Sequence, residues 1–100
     1  MTYLISYDII NDKLRNNIAK VLKRNSCQRL QKSVFIAPHY DAKKLYKTKF
    51  QLEKLITEPL QTEESIIVIP IEADNINQIV WAGNAETLKN IVKVNLFKFF

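Results

Sequence analysis

The chain has 100 residues, 47% of them hydrophobic and 25% charged, enough for one core and too apolar for a disordered protein. Its longest apolar runs are far too short to span a bilayer, and no signal-peptide pattern opens it. The net charge of +5 is unevenly spread: residues 1–54 hold twelve of the fifteen bases and four of the ten acids, a net +8, against −3 for the rest. A basic half points to a polyanionic partner, most often nucleic acid, or else to a solvated lysine-rich helix face. Cys27 is the only cysteine, which excludes an intramolecular disulfide and fits a small packed residue in a reduced, cytoplasmic setting.

Residues 2–9 read as a central strand, rich in Tyr and Ile but carrying a carboxylate, Asp8, near its end. A buried carboxylate without a partner is costly, so exposure, a basic neighbour or a metal ion should compensate for it. Asn11 can cap a helix with Asp12 in its first turn. Leu14, Ile18, Val21 and Leu22 form its apolar stripe, and Lys13, Lys20, Lys23 and Arg24 lie on the other face. Asn25-Ser26 should end it, Asn being tolerant of the left-handed turn that stops a helix.

Residues 28–37 read as strand, with Leu30, Val34 and Ile36 pointing one way and Arg29, Gln31, Ser33 and Phe35 the other. Residues 28–33 and 34–38 can be halves of a bent strand or a hairpin. His39, beside Pro38, reads as a surface residue. A second helix begins near Asp41 and is closed by Pro59, with Leu45, Leu52, Leu55 and Ile56 on one side and Lys43, Lys44 and Lys47 among its polar residues. SIIVIPI at 65–71 gives a third strand, and residues 76–82 are expected to give a fourth, turned at Gly83-Asn84. Two helices in 100 residues fit an α+β, ferredoxin-like βαββαβ sandwich better than a doubly wound sheet, which needs a parallel crossover at every step. Val92, Val94 and Leu96 alternate with polar residues at the C-terminus. A terminal strand of about residues 90–98, added to another chain's sheet, would avoid an exposed apolar edge and make a homodimer.

YLISYDIINDKLRNNIAKVLKR followed by CQRLQKSVFIA resembles the small CRISPR-associated "Cas two" family. The strand ending in Tyr-Asp-Ile, the Leu-Arg of the first helix and the Arg-x-Gln-x-Ser-Val-Phe strand carry the likeness, which extends more weakly to the end of the chain. The resemblance implies a ferredoxin-like homodimer acting in spacer acquisition with a dimer of the "Cas one" integrase. It also implies a metal-dependent endonuclease acting on RNA or double-stranded DNA, with Asp8 from both subunits holding Mg²⁺. Tyr7, Arg15, Arg29 and Phe35 map onto positions linked to cleavage, Phe35 being expected to pack at the dimer interface rather than to stack on a base. A non-catalytic adaptor that bridges integrase dimers, or a toxin-type ribonuclease, is the alternative on the same fold. Asn17 stands where family members often carry a second arginine, and Asn25-Ser26 where a glycine commonly ends the first helix. An RNA-binding ferredoxin-like module ranks last, since its Gly- and aromatic-rich sheet motif is missing. No Ser-His-Asp set, glycine-rich phosphate loop or zinc spacing is present.

Overall fold

A computed structural model describes residues 1–83 and 86–91. Strand β1 (Thr2–Asp8), helix α1 (Asp12–Arg24), strands β2 (Gln28–Gln31) and β3 (Val34–Ala37), helix α2 (Ala42–Leu55) and strand β4 (Ser65–Ile71) follow in βαββαβ order. They are followed by a single helical turn, α3 (Ala73–Ile76), and a short helix, α4 (Glu86–Ile91). The sheet is antiparallel with strand order β2-β3-β1-β4, so β1 is an inner strand and each helical crossover joins two parallel strands that have one strand between them. This is the ferredoxin-like arrangement expected from the sequence.

Period-2 alternation divides β1 between two faces. Tyr3, Ile5 and Tyr7 turn into the main core, where Ile18, Val21 and Leu22 of α1 and Leu52 of α2 meet them. Fully burying a side chain such as Ile18 or Leu22 contributes roughly 1.5–3 kcal/mol, which is why the amphipathic stripe of α1 fixes its docking. Leu4, Ser6 and Asp8 lie on the opposite face in register with Ile69, Ile67 and Ser65 of β4.

Both helices start as their sequences dictate. Asn11 accepts a hydrogen bond from the Leu14 amide at 2.8 Å, and Asp41 accepts one from the Lys44 amide at 2.7 Å. The end of α1 differs from expectation in one detail. Ser26, not Asn25, takes the left-handed conformation (φ +67°), while the Cys27 amide reaches Leu22 O at 3.0 Å and the Ser26 amide reaches Lys23 O at 3.2 Å. These two bonds make a Schellman stop, which Ser26 enters at a cost of about 1 kcal/mol relative to glycine. Asn25 is free to turn inward instead. Its Nδ2 donates to Val21 O at 2.7 Å and to Gln51 Oε1 at 2.8 Å, tying α1 to α2.

Residues 28–37 form a hairpin rather than a bent strand. A bulge between Arg29 and Gln31 shifts the register, so Gln31 pairs with Val34 and shares its face instead of that of Arg29 and Phe35. Helix α2 ends at Leu55, four residues before Pro59. The strand expected at 76–82 is absent. The amides of Asn75, Gln78 and Ile79 bond to Glu72 O, Asn75 O and Ile76 O, so these three positions are held in local turns. Of the terminal strand expected near 90–98, Asn90 and Ile91 belong to α4, and the remainder lies outside the described residues.

Candidate functional site

Asp8 closes β1 at its exposed end, directly across from Ser65 in β4. Exposure is therefore what relieves the carboxylate inside an apolar strand. Among the described residues it has neither a hydrogen-bond nor an ion-pair partner. Its face of the sheet also carries Ser6 and Ser65 beside Leu4, Ile67 and Ile69, the last two still 50% and 43% exposed. The site is thus an exposed carboxylate bordered by half-exposed isoleucines.

The neighbouring residues fall into two groups. Tyr7 stacks on Phe35 with ring centroids 6.2 Å apart and planes 23° from parallel, and the Arg29 guanidinium sits 5.0 Å above the Phe35 ring. The three are one column because Arg29 and Phe35 are register partners in the hairpin and Phe35 pairs with Ile5 beside Tyr7. Phe35 is completely buried in the core beneath the helices, whereas the resemblance implies packing at a dimer interface. Tyr7 is buried too, and its hydroxyl has no hydrogen-bond partner among the described residues. Strand alternation places this column and Asp8 on opposite faces of the sheet.

Arg15 forms the second group. One guanidinium nitrogen donates to Ile9 O at 3.0 Å and to Ile10 O at 3.4 Å, and the other pairs with Asp12. With its side chain 27% exposed, Arg15 staples the β1–α1 turn that follows Asp8. Glu64 secures the same turn from the other side, a role its position in an acidic loop does not disclose. Its Oε2 accepts from the Ile10 amide at 2.8 Å and its Oε1 from the Gln61 amide at 3.0 Å. These amides stabilise the ionised carboxylate and hold its pKa below the ordinary 4.5, the Gln61 bond being the largest cause. An open groove of about 520 Å³ runs beside this turn, lined by Ile10, Lys13, Leu14, Leu55, Leu60 and Glu64 among others.

The basic residues occupy the helices. Lys13, Lys20, Lys23 and Arg24 are exposed on α1, and Lys43 and Lys47 are exposed on α2. Lys43, Lys44 and Lys47 border a shallow cavity of about 240 Å³ together with Asn25 and Asp41. Lys44 is half-buried, its ammonium 5.0 Å above the Tyr40 ring. Beneath that ring is a buried polar knot that no sequence pattern announces. The Tyr40 hydroxyl donates to Asn25 O at 2.5 Å, lies 3.1 Å from Cys27 Sγ and accepts from Thr48 Oγ1 at 3.3 Å. Burial raises the pKa of both Tyr40 and Cys27, so the thiol is a packed group and not a nucleophile. His39 is exposed at φ +56°, on the surface as expected.

The family model described as CRISPR associated protein Cas2 matches residues 1–79, which contain β1 to β4 and every candidate residue above. The chain belongs to the Cas2 family. The match ends within the turns that replace the expected strand at 76–82. A search of curated proteins finds no match. Family membership ties the protein to CRISPR systems, and among the described residues no helix is long and apolar enough to cross a membrane.

The described residues contain no group of three or more His, Cys, Asp and Glu side chains able to hold a metal ion. A divalent ion at Asp8 would have one carboxylate of this chain to bind, among the described residues. That donor suits Mg²⁺, which keeps most of its waters and needs only one or two protein carboxylates.

Proposed function

We propose that the protein is a homodimeric, metal-dependent endonuclease that cleaves RNA or duplex DNA and serves spacer acquisition alongside the integrase. The observation that carries this reading is the exposed Asp8, without a side-chain partner among the described residues, on a sheet face with half-exposed isoleucines. A twofold partner docked on that face contributes its own Asp8, because an isologous interface sets equivalent surfaces together. The outer edge of β4, which has no strand beyond it among the described residues, is the place for a terminal strand from the partner.

The chemistry divides among the residues accordingly. A bound Mg²⁺ would polarise the scissile phosphodiester and lower the pKa of a water. Asp8 would hold the ion, Arg15 and Glu64 fix the turn behind it, and Lys13 at the start of α1 offers a cation for the phosphate backbone. Lys20, Lys23, Arg24, Lys43, Lys44 and Lys47 extend the basic surface over both helices.

A specific observation also favours the adaptor reading. Arg15 is paired with Asp12 and Arg29 sits over Phe35, so neither guanidinium is poised beside Asp8 to stabilise charge on a phosphate. One experiment separates the two. With purified protein and Mg²⁺, cleavage of RNA or duplex DNA is expected, and it should vanish in Asp8→Asn and in chelator. Wild type with no cleavage, but with intact capture of the integrase in both forms, would make the protein an adaptor. Undiminished cleavage by Asp8→Asn would overturn the site.

A further inference from the structure

Helix α2 carries a surface that the Asp8 site does not use. Tyr46 and Phe50, one helical turn apart, are 71% and 47% exposed, among the most exposed large hydrophobic residues of the described chain. Their rings lie within 7° of parallel with centroids 6.5 Å apart, and the Lys54 ammonium sits 5.0 Å above the Phe50 ring. The side of α2 that packs inward is built from Leu45, Thr48, Leu52 and Leu55, so the aromatic pair contributes nothing to the core.

Helical spacing sets a second row beside the aromatic one. Lys43 is three residues before Tyr46, Lys47 three before Phe50, and Lys54 four after it, and all three lysines are exposed. A row of parallel rings next to a row of ammonium groups matches a strand with its bases on one side and its phosphates on the other. We propose that this outer face of α2 is a stacking platform for unpaired nucleic-acid bases, with Lys43 and Lys47 tracking the backbone and Lys54 covering one end of the ring row. Charge and ring orientation select this occupant. An apolar protein patch would not need the lysine row, and a duplex would meet the lysines while keeping its base faces hidden. The platform works whether or not Asp8 binds a metal.

The test is fluorescence anisotropy in chelator, which keeps the strands intact and removes the Asp8 site from the result. The probes are a labelled oligothymidylate, an abasic strand of equal length and a duplex. Wild type should bind the oligothymidylate about tenfold or more tightly than the abasic strand, the scale of base–aromatic stacking. Tyr46→Ala with Phe50→Ala should erase that preference and leave duplex affinity unchanged, while Tyr46→Phe with Phe50→Tyr keeps it. Circular dichroism checks the helix, which two exposed substitutions should leave intact. The proposal is overturned if the alanine pair binds oligothymidylate as wild type does, or loses duplex and oligothymidylate equally. It is also overturned if the pair loses only integrase capture, which would make the surface a protein contact.

Discussion

On the helix-covered face of the sheet, Ile5, Tyr7 and Phe35 are sealed beneath α1 and α2, and the polar groups of Tyr40, Cys27, Thr48 and Asn25 answer one another. On the opposite face, Ile67 and Ile69 remain about half exposed, and Asp8 ends the central strand without a side-chain partner among the described residues. One strand, β1, supplies both faces by simple alternation, so the difference reflects what each set of side chains has to pack against. The closed face completes the protomer. The open face has the composition of a surface that is completed by something else, and the proposed site lies there.

The largest expected effect lies on the closed face. Phe35→Ala removes the ring between Tyr7 and the Arg29 guanidinium and leaves a cavity in the core, which should cost about 3–5 kcal/mol. Urea denaturation reads this directly. A loss below 1 kcal/mol, on the scale of an exposed site, would mean that the column is not part of the folding core.

The sequence makes the closed face legible and the open one less so, for physical reasons. The α1 stripe, the Asn11 and Asp41 caps and the alternation of β1 are local patterns, and the structure keeps them. Alternation groups Phe35 with Arg29, as the structure does, but it assigns a residue to a face without saying which face the helices cover. Gln31 lies on the face of Val34 because the two-residue turn sets them opposite each other, and the bulge that precedes it returns Arg29 to the face of Phe35, neither of which alternation alone reveals. The turns at 72–79 escaped notice because a run such as INQIVWA has strand composition, whereas the helical turn at Ala73–Ile76 uses Asp74 and Asn75 just before it. Asp8 was legible as an anomaly, a charge in an apolar strand. Glu64 was not, since its two amide partners lie three and 54 residues away in the chain.

An intermediate effect distinguishes the open face. Ile67→Lys with Ile69→Lys places charges where the two side chains are already half in water. The protomer should keep its circular dichroism spectrum and lose no more than about 0.5 kcal/mol per site. The proposed dimer should instead dissociate, a change that light scattering detects. If the paired substitution unfolds the chain, those isoleucines belong to the protomer's own core and the contrast between the faces fails.

The smallest effect tests the junction between the two faces, where Glu64 pins the turn that follows Asp8. Its amide bonds favour the ionised form, so its folded-state pKa lies below the ordinary 4.5 of the unfolded chain. The stabilisation is therefore fully present above 4.5 and is lost as the pH falls through the folded-state value. Glu64→Gln keeps one acceptor oxygen but presents an NH₂ group to the second amide, so one of the two bonds is lost at neutral pH. The variant should melt slightly below wild type at pH 7, with faster hydrogen exchange at the Ile10 and Gln61 amides. The gap should close as both proteins are acidified well below 4.5, where wild-type Glu64 takes up its proton and loses the same advantage. A melting difference that stays constant across that range would assign the role of Glu64 to packing, and the turn behind Asp8 would then be held by Arg15 and its carbonyl partners alone.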